Sequence, residues 1–126
     1  MDRKLAVTHT EWSIMELLWK SPRTLMELVN TLGNTVGWSK STITTMVRRM
    51  TEKELIAYDT DGRTKLFRAA VDREDVVAQE TDSLLERAYR GSLGLMLSTL
   101  VNHKHLSKAD IDELYAILRQ AEEEAE

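Results

Sequence analysis

Lys40, Arg48 and Arg49 share the stretch 38–49 with five hydroxyl side chains, Ser39, Ser41, Thr42, Thr44 and Thr45, and no carboxylate interrupts them. Small hydroxyl residues let a helix backbone approach base edges. A threonine methyl can lie on a thymine methyl, and lysine or arginine can bond guanine acceptors or phosphate oxygens. Contact with nucleic acid is the chemistry this stretch would suit. An ordinary solvated helix face is the competing reading, but serine and threonine are poor formers of exposed helix and need a reason to be there. A second basic group, Arg63, Lys65 and Arg68, follows Asp61-Gly62. Charge near a turn is common, so this group adds weight only in company with the first. Trp38, just ahead of the basic stretch, could pack under its start or touch a sugar-phosphate.

Catalysis is a poorer fit. His9, His103 and His105 are the only histidines and there is no cysteine. The acidic residues fall mostly on helix surfaces, and no glycine-rich phosphate loop, metal quartet or nucleophile motif occurs. His103-Lys104-His105 reads as a solvated loop between helices, because two histidines flanking a lysine make a poor metal site. The chain is therefore read as a non-enzyme with no cofactor and no metal.

The elements that must carry these residues can be read from periodicity. Thr8-His9-Thr10-Glu11 is a T-x-x-E capping box, and Trp12, Met15, Leu18 and Trp19 follow at helical spacing, with both tryptophans read as core. Ser21-Pro22-Arg23 breaks this helix near Lys20. Thr24-Leu25-Met26-Glu27 opens a second helix carrying Leu25, Leu28, Val29 and Leu32, which should stop at Gly33. Ser39 is a candidate N-cap for a third helix, to about Lys53, with Ile43, Met46, Val47 and Met50 inward. At 100° per residue, Ser41, Thr44, Thr45 and Arg48 then face outward, flanked by Arg49, with Lys40 and Thr42 in the first turn. Extended runs at 55–58 and 64–69 around 59–63 predict a hairpin with Arg63 and Lys65 at its tip. Beyond it, Asp72-Arg73-Glu74-Asp75 starts a long helix that Gly91 closes, 93–101 is apolar around most of its circumference, and Ser107 caps a last helix.

Helix, helix, helix, hairpin is the element order of a winged helix-turn-helix, whose third helix enters the major groove. The fold class is thus mainly α (α+β), with a winged helix-turn-helix over 1–70 and a helical region over 71–126. The whole chain of 126 residues has formal charge −4, which would argue against binding phosphates. By segment the balance differs. Residues 1–70 carry eleven basic and eight acidic side chains, and 71–126 carry six and thirteen. No apolar stretch approaches the roughly 18 to 20 residues of a membrane helix, so no membrane insertion and a cytoplasmic location are expected. The missing cysteines exclude a disulfide framework and thiolate chemistry.

Several of these segments resemble the penicillinase repressors, the BlaI/MecI/CopY group of bacterial winged-helix regulators. The matching residues are Thr10-Glu11-Trp12-Ser13-Ile14-Met15 with Leu18-Trp19, then Gly37-Trp38-Ser39-Lys40-Ser41-Thr42-Ile43 with Met46 and Arg49, the Asp61-Gly62-Arg63 turn, Tyr89-Arg90-Gly91-Ser92-Leu93, and Leu106-Ser107 with Ile111-Asp112-Glu113-Leu114. The resemblance implies a homodimeric, sequence-specific repressor on a palindromic double-stranded operator, controlling β-lactam resistance or related stress genes. Trp38, Ser39, Lys40, Ser41, Thr42, Thr44, Thr45, Arg48, Arg49, Arg63 and Lys65 would touch DNA. It also implies that 71–126 is a dimerisation arm, with Leu84, Tyr89, Leu93, Met96, Leu97, Leu100, Ile111, Leu114, Tyr115 and Leu118 in contact. Burial of these helices on the N-terminal domain is the alternative. A winged-helix protein-interaction module that does not bind DNA is the alternative function. Copper-responsive members use a cysteine-rich motif that this chain lacks. Members that respond to β-lactams are cut by a membrane-linked sensor-transducer protease, typically at Asn-Phe, where this chain has Thr99-Leu100.

Overall fold

The computed structural model describes residues 5–125. Three helices come first, α1 (His9–Lys20), α2 (Leu25–Thr35) and α3 (Lys40–Glu52), with a short strand β1 (Arg23–Thr24) between the first two. Strands β2 (Ile56–Asp61) and β3 (Thr64–Ala69) form the hairpin, and α4 (Arg73–Tyr89), α5 (Leu93–Lys104) and α6 (Lys108–Glu124) complete the chain. Both T-x-x-E boxes close as read: Thr8 and Thr24 accept the Glu11 and Glu27 N–H, and each glutamate accepts its cap residue's N–H. Two free N–H donors are satisfied at the start of each of these helices.

Three local features differ from the reading of the sequence. Helix α2 runs through Gly33 to Thr35, because Gly37, at φ +73°, is where the chain leaves the helix and donates its N–H to the Leu32 carbonyl. Strand β2 extends to Asp61, which pairs with Thr64, so the turn is only Gly62-Arg63 rather than 59–63. Gly62 sits at φ +66°, as tight two-residue hairpins demand. Strand β1 was not foreseen. At two residues it is too short to show a period, yet it pairs with β3 and makes a three-stranded sheet of order β1-β3-β2.

The core gathers Ile14, Met15, Leu28, Ile43, Met50, Leu55 and Ile56, all essentially without solvent contact, and β3 and α4 add Phe67 and Val76. Each such side chain contributes about 1.5–3 kcal/mol. Trp12 and Trp19 lie at the border of this core, half-buried and stacked edge to face at 5.5 Å. Trp19 donates its indole N–H to the Val71 carbonyl at 2.9 Å. Glu11, 6% exposed, is the buried charge among the described residues, and Lys53 Nζ meets its two carboxylate oxygens at 2.8 and 3.0 Å. Burial alone would raise the Glu11 pKa. The Lys53 hydrogen bond and charge and the Thr8 hydrogen bonds outweigh it and hold the carboxyl below its usual range.

The chain forms two compact units, 1–81 and 82–126. The division falls inside α4, beyond the 70/71 boundary expected, because Val76 is buried in the first unit's core and Gln79 accepts the Leu5 N–H. That shift alters the charge argument. The first unit carries twelve basic and twelve acidic residues, and the second five and nine. The first unit is neutral, so positive charge is not a property of the whole N-terminal half. In the second unit no residue of α5 or α6 is buried.

Candidate nucleic-acid interface

Helix α3 is built to present one polar side. Ser39 caps it, accepting the Thr42 N–H at 3.2 Å, and Ile43, Val47 and Met50 are buried on its inner stripe. Ser41, Thr42, Thr44, Arg48 and Arg49 remain exposed, with Ser39 and Lys40 at the entrance. The Thr44 hydroxyl donates to the Lys40 carbonyl one turn back at 2.8 Å. Thr45 and Trp38 are half-buried, and Trp38 packs against the core. Among the described residues Lys40, Arg48, Arg49 and Arg63 form no ion pair or side-chain hydrogen bond. These four cations are available to an external anion.

Cross-strand pairing sorts the wing by charge. Tyr58 lies opposite Phe67 and Thr60 opposite Lys65 on one face, while Asp59 and Asp61 alternate onto the other with Arg68. Arg68 is taken up by Asp59 at 3.2 Å. Lys65 Nζ stands 4.5 Å over the Tyr58 ring, which meets Phe67 edge to face at 5.6 Å. This wing face, α3 and the start of α2 enclose an open groove of about 790 Å³. Thr44, Arg48, Arg63 and Lys65 reach it from the residues singled out in the sequence. Arg49 lies elsewhere, in a smaller hollow with Thr8, Thr10, Glu52 and Lys53.

Met26, Tyr58, Thr24 and Thr64 also line the groove and were missed. Met26 left a trace in the sequence: it falls off the Leu25, Leu28, Val29, Leu32 stripe, and it is 50% exposed. Tyr58, 41% exposed, left none, because strand alternation after Ile56 places it inward and only the opening between wing and helix exposes it.

The second unit presents apolar surface instead. Leu93 is 70% exposed, and Leu97, Leu100, Ile111, Tyr115 and Leu118 are also exposed, while Leu84, Tyr89, Met96 and Leu114 are half-buried. Exposed apolar surface of this kind marks an interaction site. Thr99 and Leu100 lie inside α5, and the Thr99 hydroxyl donates to the Leu95 carbonyl. No group of three or more metal-ligating side chains is assembled among the described residues, and no described helix is long and apolar enough to cross a membrane.

Three helices, a three-stranded wing and a polar basic outer face on α3 define a winged helix-turn-helix protein. Residues 7–120 match the family model described as penicillinase repressor, and the chain belongs to that family. It is 30% identical over 115 residues to the penicillinase repressor of Bacillus licheniformis, covering 90% of both chains. It is 24% identical over 122 residues to the methicillin resistance regulatory protein MecI of Staphylococcus aureus (strain N315), covering 95% of this chain and 99% of that one. The solution structure of the DNA binding domain of the repressor BlaI superposes with a TM-score of 0.53 at 28% identity, covering 60% of this chain and 93% of that domain.

Proposed function

We propose that the chain is a sequence-specific DNA-binding transcriptional repressor that occupies a palindromic operator as a homodimer and controls β-lactam resistance or related stress genes. The observation that carries this reading is the set of exposed cations on α3 and the wing, Lys40, Arg48, Arg49 and Arg63, which have no ion-pair partner among the described residues, beside a row of small hydroxyl side chains. Family membership and the likeness to a repressor's DNA-binding domain support it. Ser41, Thr42, Thr44 and Arg48 would enter the major groove. Lys40, Arg49, Arg63 and Lys65 would hold phosphates, and the α3 N-terminus would add its free amides. Trp38 and Thr45 act from the half-buried edge, where they position the helix.

The exposed apolar residues of α5 and α6 support a dimer arm. In a twofold dimer the two recognition helices meet successive major grooves, roughly 10 base pairs apart or a multiple of that. A sensor-linked protease is the derepressing partner the family resemblance implies. At Thr99-Leu100 it would have to open a hydrogen-bonded turn of α5 before cutting.

Footprinting on the DNA upstream of the chain's own gene tests the reading. A protected dyad at low salt, with affinity that falls steeply as salt rises, is the expected result. Absence of any protected dyad would refute it, and binding to a protein partner without salt dependence would favour an interaction module.

A further inference from the structure

The groove between α3 and the wing has an apolar floor that DNA contact does not account for. Leu25, Val47 and Phe67 form it, and Met26 and Tyr58 add apolar surface left open to solvent. A sugar-phosphate backbone gains little from such a floor, because burying its charged oxygens against apolar atoms costs more than the contact returns. An apolar or aromatic body would gain about 25 cal/mol for each Å² it removes from water. At about 790 Å³ the groove lies within the size range of small-molecule sites, roughly 300–1,000 Å³, which are concave, mainly apolar and edged by a few polar groups.

The rim selects the charge of the occupant. Arg48, Arg63 and Lys65 line it against the single carboxylate of Glu52. Arg48 and Arg63 have no partner among the described residues, and a guanidinium presents two parallel donors that match a carboxylate. We infer that this groove binds a small amphipathic organic anion, an apolar or aromatic body bearing one carboxylate, and that this ligand and DNA exclude each other. The exclusion rests on the proposed DNA contacts of Thr44, Arg48, Arg63 and Lys65, since the ligand occupies the same side chains. Such a ligand would release the operator directly, with no cut in the chain.

Naphthalene-2-carboxylate is a suitable probe, with neutral naphthalene-2-carboxamide as its comparator, each titrated calorimetrically into the full chain without DNA. The carboxylate should bind about tenfold or more tightly than the amide. Met26→Glu, on an exposed helix position, should weaken the carboxylate by a similar factor. Arg63→Gln, at the wing tip, should weaken the carboxylate and leave the amide unchanged. In a second arm, the carboxylate should raise the protein concentration that half-saturates a labelled duplex from the upstream region. Equal affinity for the two probes, indifference to both substitutions, no binding at millimolar concentration, or ligand binding that leaves the duplex affinity unchanged would each overturn the inference. If the duplex fails to bind at low salt with no ligand present, the repressor reading falls, and the DNA-free titration still decides the ligand site.

Discussion

Arg48 and Arg63 are the side chains whose removal should be most informative. Both are exposed and without partners among the described residues, so truncation costs the fold little and any effect is on DNA binding. Arg48→Ala should weaken operator binding by about 1–3 kcal/mol and relax preference at one base position, as a base-edge contact would. Arg63→Ala should weaken all duplexes alike and lower the slope of log affinity against log salt by about one. Fluorescence anisotropy across a salt series on matched and mutated duplexes separates the two. Glu11 makes a different kind of prediction. Its carboxyl is held below its unfolded pKa, so its pairing with Lys53 stabilises the fold above that unfolded value, and the contribution is lost as pH falls through the depressed folded value. Lys53→Met leaves a buried carboxylate without its ion-pair partner and should destabilise by about 1–3 kcal/mol at pH 7. The loss should shrink in acid, and urea melts at pH 7 and pH 3 check both statements. The sequence marked Lys53 as the end of a helix and Glu11 as half of a capping box. It gave no sign that the two meet, because they lie 42 residues apart and only packing of α1 against the end of α3 joins them.

The proposed recognition depends on helix α3 starting where it does. Ser39 fixes its first turn through the Thr42 N–H, so Ser39→Ala should destabilise the domain by about 1 kcal/mol and fray the turn that carries Lys40 and Ser41. Hydrogen exchange at the first amides of α3 should rise before the rest of the helix responds. In the wing, Gly62 holds φ +66° in the two-residue turn with open space around it. Gly62→Val should therefore cost about 1–2 kcal/mol from backbone strain alone, read as a lower melting temperature. Capping boxes and the third-helix stripe were readable because they are local, a few residues apart and fixed by helix geometry. The end of α2 was not: Gly33 and Gly37 are both plausible stops, and the choice falls to Gly37 because the chain turns there to present Trp38 and Ser39.

Across the whole molecule, the strongest expectation concerns the second unit. No residue of α5 or α6 is buried, exposed apolar surface of this kind marks an interaction site, and a second copy offers the same apolar face. Leu97→Glu should halve the mass measured by light scattering and lower operator affinity by removing cooperative occupancy of two half-sites. If both stayed unchanged, the dimer arm would be misassigned. The amino-acid sequence by itself determined the order of elements, the inward stripe of α3 and the absence of thiolate chemistry, since each follows from period, capping or composition within a short window. Its formal charge of −4 and the apparent division into a basic and an acidic half told less. Only the tertiary structure decided that the first unit, ending at Thr81, is neutral overall and that Arg48 of the third helix meets Arg63 and Lys65 of the wing along one groove. Only it set Met26 and Tyr58 beside Arg48 and Arg63 in one groove. The reason is physical: charge and apolar area act through the space around them, and that space is shaped by residues far apart in the chain.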